Sequence, residues 1–570
     1  MNHYGILPGK KWGLLRDRDL MSKWKMQDCP GIIEFGRVRT CDEVIGYKFM
    51  HQWKANEYLL CRRAGNSSNT SSYGGFGGGS SIRQGDHVCR QAPFAPFNIQ
   101  CSFSSLKIDF KKSNLSEKKS LRMFYPGFTS VNCDQGEMPE NFRVIFDRFF
   151  PGFELNNGSF SSTNNGVDDV CDVRVTQPTL VACFDHVGNL GHLFEDVINH
   201  WLSSELAGVD RKKTLFVNIQ GLRDRTVERG YGRHVQNRTH PDDIGFYRPI
   251  FDVLFGAVAI PSTDWVDKVV CFENGLHTYN MPLKGFLWEN FGNTDRCAIT
   301  ESPSYLYQKF QSDYMTSWSE KSEFRNGLKN LVEYFIAKAA SNQPLLMSNV
   351  FLFSKPTINN SPAYDYNISS GGYHYDNGPA TTPSIFHRDN NIIRILLVLR
   401  RAVSPTMHFA SRVMANSEDV IQSLQNVLKT FRKRQRHVDT QLVIADFASM
   451  NDFVSQVILS HSISIMIGFH GAGINHMFHM TPGGRKYCCG LIELFPEMKT
   501  QFVGRVGHGN YARLLGFHYL PFYADNGSYV VERNGTVLRA DLLAKRLRIM
   551  LRLLLSKPCS TNVVGQPRSI

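Results

Sequence analysis

No run of apolar residues in this 570-residue chain approaches the ~18 that a membrane-crossing helix needs. The longest, Ile549–Leu555, is broken by Arg552. The N-terminal stretch MNHYGILPGKKWGLLRDRDL has no apolar centre of the kind a signal peptide carries. The thirteen cysteines include no C-x-x-C pair and no finger-like spacing, which excludes a zinc-ribbon or finger domain. Aromatics are missing from the two densest basic runs, Arg432–His437 (RKRQRH) and Lys545–Arg552 (KRLRIMLR). Single-stranded nucleic acid is held by cations interleaved with stacking rings, so nucleic acid is not an expected partner. The first run reads as a helix end, where cations suit the dipole, and the second as the outer face of a helix.

What is present is material for a large core. Apolar residues make up 42%, with 40 Phe and 21 Tyr, which excludes a mainly disordered chain. The length predicts two to four domains. A net charge of +13 suits an anionic partner without choosing one. Cys89 with Cys101, or Cys171 with Cys183, are placed to close loops in an oxidising compartment; the alternative is buried thiols. Nine N-x-S/T sequons begin at Asn66, Asn69, Asn114, Asn157, Asn237, Asn359, Asn367, Asn526 and Asn534, more than composition supplies by chance. Together these point to the endoplasmic reticulum or Golgi lumen. Targeting and membrane anchoring are then expected from a segment preceding Met1.

Along the chain, 1–64 stays unassigned, 65–81 (GNSSNTSSYGGFGGGSS) reads as a Gly/Ser linker, and 82–177 reads as irregular. From 178 to 345 short apolar strands alternate with helices: Thr179–Asp185, a helix from Asn189 to Ala207, Thr214–Ile219, a helix over Phe246–Gly256, and Val269–Asn274. A Ser/Asn/Pro/Gly-rich stretch, 346–390, reads as a linker or long loop. Over 391–556 the alternation is more regular, with strands at Ile392–Leu399, Gln441–Phe447, Ser462–Gly468, Leu491–Phe495 and Phe517–Tyr523; 557–570 is a tail. This pattern predicts an α/β fold with parallel sheets covered on both faces, arranged as two lobes with a cleft between them.

The most informative segment is IGFHGAGINHMFHMTPGGRKYCCGLIELFPE, Ile467–Glu497. A strand ends at Gly468, Gly471 and Gly473 flank Ala472, and a helix begins there. Such a turn presents unpaired N–H groups to phosphate, and ligands of parallel sheets bind at the strands' carboxyl ends. His470 is placed to donate to a pyrophosphate oxygen, and Glu493 to accept from ribose hydroxyls. The competing reading is a tight Gly-rich turn beside a satisfied core histidine.

These residues carry a resemblance. The HGAG-x-x-H string from His470 to His476, then Pro482, then IELFP (Ile492–Pro496), resembles glycosyltransferase family 61. Ile474-Asn475 stands where that family usually has Leu-Thr. Upstream, LLVLRR (Leu396–Arg401) and RVMAN (Arg412–Asn416) are similar to the family's arginine and R-x-x-x-N pattern, with Arg400 and Arg401 both open as the matching arginine. The similarity covers about 391–523, and more weakly 179–205. It implies a GT-B-like fold of two Rossmann-like lobes, with a UDP-sugar held by the C-terminal lobe through Arg400, Arg401, Arg412, Asn416, His470, Gly471, Ala472, Gly473, His476 and Glu493. It further implies transfer of xylose or N-acetylglucosamine, with inversion to a β-linkage, onto a glycan or glycoprotein hydroxyl. No metal or other cofactor is implied, because helix dipoles and arginines neutralise the leaving diphosphate. In agreement, the D-x-D at Asp17–Asp19 lies in the N-terminal tail.

Inversion by direct displacement needs one general base. In GNLGHLFEDVINHWL, residues 188–202, an apolar stripe (Leu190, Leu193, Phe194, Val197, Ile198, Trp201) faces away from His192, Glu195, Asp196 and Asn199. Asn189, His192 and Asp196 match an N-x-x-H-x-x-x-D pattern of the family. Asp196 or His192 is therefore the expected base, with the other orienting it; the alternative is an ordinary amphipathic helix with a solvated polar face. Two further functions stay open: a non-catalytic nucleotide- or sugar-binding protein of the same fold, and a basic nucleic-acid binder.

Overall fold

The computed structural model describes residues 47–55, 57–61, 87–92, 95–113, 128–132, 153–156, 171–183, 190–220, 245–259, 265–279, 305–338, 344–347, 392–400, 413–450, 452–480, 489–495, 507–522, 529–532 and 535–556. The first half comprises α1 (Tyr47–Ala55), β1 (Glu57–Cys61), β2 (His87–Ala92), β3 (Ala95–Phe103), β4 (Leu106–Asp109), β5 (Thr129–Asn132), β6 (Phe153–Asn156), β7 (Val173–Val175) and β8 (Thr179–Cys183). Next come α2 (Leu190–Ala207), β9 (Leu215–Gln220), α3 (Arg248–Leu254), β10 (Ala257–Ala259), β11 (Val269–Phe272), β12 (Gly275–Tyr279), α4 (Tyr305–Ser319) and α5 (Ser322–Lys338). The second half holds β13 (Leu345–Leu346), β14 (Ile392–Val398), α6 (Ser417–Arg434), β15 (Asp439–Ala445), α7 (Phe453–His461), β16 (Ile465–Phe469) and a 3₁₀ helix, Ala472–His479. It closes with β17 (Gly490–Leu494), α8 (Gly507–Leu514), β18 (His518–Phe522), β19 (Tyr529–Glu532), β20 (Gly535–Leu538) and α9 (Ala540–Ser556).

The α/β expectation holds in both halves. The C-terminal sheet runs β13-β15-β14-β16-β17-β18 with every pair parallel. From β14 the chain steps to β15 on one side, then crosses to β16 on the other. This reversal falls at the carboxyl ends of β14 and β16, the position at which ligands of open parallel sheets bind. Side-chain alternation divides the core between the two faces. Ile393, Ile395, Leu397, Ile465, Ile467 and Ile492 pack under α6 and α9, while Leu396, Val443, Met466 and Leu491 face the other way. That second face belongs to a hydrophobic cluster shared with α2, α4 and α5 of the first half. Burying both faces explains why these strands read as unbroken apolar runs.

Residues 82–177, expected to be irregular, instead supply strands to two sheets. One runs β1-β2-β3-β12-β8-β9-β10, in which antiparallel β1, β2 and β3 extend the parallel β12-β8-β9-β10 part. The other, β6-β5-β4-β11-β7, is mixed. Most of these strands are short, and several take partners from beyond position 265 (β3 with β12, β4 and β7 with β11), so local periodicity is too weak to show them. All nine sequon asparagines, the Gly/Ser linker and residues 348–391 lie outside the described residues.

Cys89 and Cys101 are directly opposed on β2 and β3 and form a disulfide. Cys171 does not pair with Cys183; its partner is Cys271 on β11, which lies beside β7. The parallel β7–β11 pairing brings together residues 100 apart, and no sequence spacing reveals that. Closing so long a loop restricts the unfolded chain strongly. Cys271→Ser is therefore expected to cost about 2–4 kcal/mol, read as a lower denaturant midpoint at unchanged slope, with a smaller loss for Cys89→Ser.

No helix among the described residues is long and apolar enough to cross a membrane. The two basic runs fall as expected: α6 ends at Arg434, and Lys545, Arg548 and Arg552 lie exposed on the outer face of α9.

Candidate functional site

β16 ends at this reversal of strand order, and the chain turns sharply at Gly471. Its φ of 152° and ψ of −174° fall in a region open essentially to glycine alone. Gly468 is required for a different reason. A Cβ there would lie 2.9 Å from Ile474 Cγ2, so the 3₁₀ helix that follows the turn could not fold back on the strand. Arg400 is exposed just beyond β14. Arg401 and Arg412 lie outside the described residues.

Register places Gly468 beside Val398 on one side and Glu493 on the other. Glu493 thus points into the face shared with the first half, and it is fully buried. Three groups converge on it. His470 Nδ1 lies 2.6 Å from Oε1, His508 Nδ1 lies 2.9 Å from the same oxygen, and the Tyr519 hydroxyl donates to Oε2 at 2.7 Å. Burial alone would raise the Glu493 pKa. The charge of His508 and hydrogen bonds from His470 and His508 outweigh burial and hold it down at about 2. His470 stacks on Phe495, with ring centres 5.4 Å apart. Asn475 bonds Ala472 O and His508 Nε2, each at 3.2 Å.

This arrangement changes the role of Glu493. A buried carboxylate whose two oxygens are already engaged is not an acceptor for ribose hydroxyls; it orients His470, as a carboxylate does in other His–carboxylate pairs. His476 is also reassigned. It is buried against Phe447, with ring centres 4.1 Å apart, and lies 3.2 Å from His479. Burial pushes its pKa down to about 3, so it is a neutral core residue that does not face a ligand. Asn416 exchanges two hydrogen bonds, both 2.9 Å, with the backbone of Leu538, which ties the start of α6 to β20 and occupies the amide. Ala472 and Gly473 remain half-buried at the turn.

His470, Glu493 and His508 are the only trio of metal-type ligands among the described residues. Two histidines and a glutamate are a set that zinc accepts. Ligand atoms about 2.0–2.2 Å from a tetrahedral ion lie roughly 3.3–3.6 Å apart; the two histidine nitrogens are 3.3 Å apart, but the two N–O separations are only 2.6 and 2.9 Å. The spacing is that of shared protons, so the cluster fits a cation only if it opens.

Helix α2 does not have the solvated polar face of an ordinary amphipathic helix. Glu195, Asp196, Asn199, His200, Ser203 and Ser204 are all buried. Phe194 stacks on Phe478 of the 3₁₀ helix with ring centres 4.7 Å apart, and the Tyr511 hydroxyl donates to Glu195 at 3.1 Å. Burial, and then the charge of Glu195, raises the Tyr307 and Tyr511 hydroxyls well above their usual pKa, so both remain neutral donors. His192 lies in the first turn of α2, four residues before Asp196. Helix α8 joins the two clusters, since His508 faces Glu493 and Tyr511, one turn later, faces Glu195.

Sequence reasoning missed His508, Tyr511, Tyr519 and Arg513, whose guanidinium lies 5.2 Å from the centre of the Tyr519 ring. None stands in a recognisable motif. They meet the site because β17, α8 and β18 are consecutive elements at one end of the sheet. No family model matches this chain, and no curated protein matches it.

Proposed function

We propose that this chain is an inverting glycosyltransferase of the kind found in family 61, with a GT-B-like fold, transferring xylose or N-acetylglucosamine from a UDP-sugar to a glycan or glycoprotein hydroxyl. One observation carries the reading: the His470–Glu493 pair stands beside the glycine turn, where the C-terminal sheet reverses its strand order. In this mechanism the diphosphate rests against the turn at Gly471–Gly473, with Arg400 and His470 supplying positive charge and donors. Asp196, with His192 one turn before it, removes the acceptor's proton. The acceptor oxygen attacks the anomeric carbon from the face opposite UDP, the new bond forms with a β configuration, and UDP leaves with the electron pair. Charge neutralisation by arginine, histidine and N–H groups makes a metal unnecessary for departure. Disulfides Cys89–Cys101 and Cys171–Cys271 support residence in the oxidising lumen of the endoplasmic reticulum or Golgi.

The test is a panel of UDP-sugars with and without EDTA. Wild type is expected to bind and transfer at least one of them, undiminished by EDTA. Asp196→Asn is expected to retain UDP binding and lose transfer by about 10²–10⁴-fold. If wild type neither binds nor hydrolyses any UDP-sugar, the proposal is wrong. Normal UDP binding with no transfer to any acceptor, and no effect of Asp196→Asn, would instead identify a non-catalytic nucleotide-binding protein.

A further inference from the structure

At the amino ends of the C-terminal strands, away from the glycine turn, lies a cavity of about 490 Å³ between the end of α5, the edge strand β13 and helix α6. Its cations come from two helices: Lys338 ends α5, while Lys429, Arg432 and Lys433 belong to the last turns of α6. Gln422, Gln425 and Asn426 continue the same face of α6 at intervals of three and four residues. Lys429 and Lys433 are exposed and make no ion pair with a described residue, and Arg432 lies 3.9 Å from Asp439.

The floor of the cavity is the start of β15. Among the described residues, strand β13 pairs only with Val443 and Ile444. Thr440 lines the cavity, is only 3% exposed, and has a buried hydroxyl with no hydrogen-bond partner. Buried hydroxyls are nearly always bonded. The helix dipole accounts for cations at the ends of both α5 and α6, but not for the Thr440 hydroxyl.

We propose that this cavity binds a small saccharide bearing a phosphate or sulfate ester, at a site separate from the glycine turn. Lysines and an arginine compensate the ester's charge, side-chain amides both donate to and accept from sugar hydroxyls, and the Thr440 hydroxyl gains its missing partner. A volume of about 490 Å³ falls within the range of small-ligand sites. The inference does not depend on glycosyl transfer.

Calorimetric titration of the full chain tests it, with glucose 6-phosphate, a heparin-derived sulfated disaccharide, maltose, inorganic phosphate and inorganic sulfate. At least one ester is expected to bind saturably and more tightly than maltose or its inorganic ion; the ester that does so identifies the source. Lys429→Ala/Lys433→Ala should weaken it at least tenfold. Thr440→Val should weaken it about threefold or more while leaving the melting temperature unchanged or raised, since it removes a hydroxyl that bonds nothing in the free protein. Absence of saturation with both esters, equal affinity for inorganic ions, or wild-type affinity in both variants would overturn the proposal.

Discussion

Under the proposed glycosyl transfer, replacing His470 with alanine is expected to lower transfer about 10²–10³-fold, because the side chain closest to the glycine turn would no longer meet the departing diphosphate. Glu493→Gln should reproduce much of this loss without contacting substrate. Its amide oxygen can still accept from both histidines while its nitrogen turns to the Tyr519 hydroxyl, which then accepts instead of donating. The fold is kept and the negative charge that orients His470 is lost. Glu493→Leu is the harsher change. It leaves two imidazole N–H groups and a phenol without an acceptor in a site closed to water, at a cost of about 3–5 kcal/mol. Rates measured alongside UDP affinity and denaturant midpoints separate the cases. Full transfer by Glu493→Gln would show that the carboxylate has only a structural role.

The second large effect is acid lability that begins unusually high. Burial pushes the pKa of His200 and His476 down to about 3 and that of His277 to about 4, and holds His479 well below its ordinary value. These four stay neutral in the native protein, whereas the unfolded chain protonates them near pH 6.5. Unfolding therefore takes up protons, and stability falls as pH drops below about 6.5, at about 1.4 kcal/mol per unit of pH for each histidine. Together they remove about 5 kcal/mol per unit, comparable to the whole stability of an ordinary domain. Glu493 acts lower down: its contribution is complete above the ordinary value of 4.5 and is lost as pH falls toward about 2. Unfolding is expected between about pH 6 and 4.5, with uptake of about three to four protons by these histidines at pH 5.5. Calorimetry in buffers of different ionisation enthalpy counts them, and His476→Gln should lower the count by one. Uptake below two protons would contradict native neutrality.

The distance between sequence and site shows clearly in β16 and α2. At β16 the string IMIGFHGAG announced a buried strand, a glycine turn and a histidine, because each is a local property of the backbone or of burial. At α2 the periodicity separated an apolar stripe from a polar face, yet that polar face is buried too. Periodicity reports which residues are alike, not what covers them. The aromatic and hydroxyl groups that accept this face come from α4 and α8, more than a hundred residues away.

Local chemistry in the chain determined the parallel α/β character of its second half, the positions of most of its strands and the turn at Gly471. Long-range packing settled the rest. Strand order moved Glu493 from an exposed acceptor to the buried anchor of His470, turned His476 into core, and committed Asn416 to β20. It also joined Cys171 to Cys271 and brought His508 and Tyr519 onto one carboxylate. The physical reason is the same in each case: burial and hydrogen-bond partnership depend on neighbours in space, and a sheet whose strands are out of chain order takes those neighbours from distant parts of the sequence.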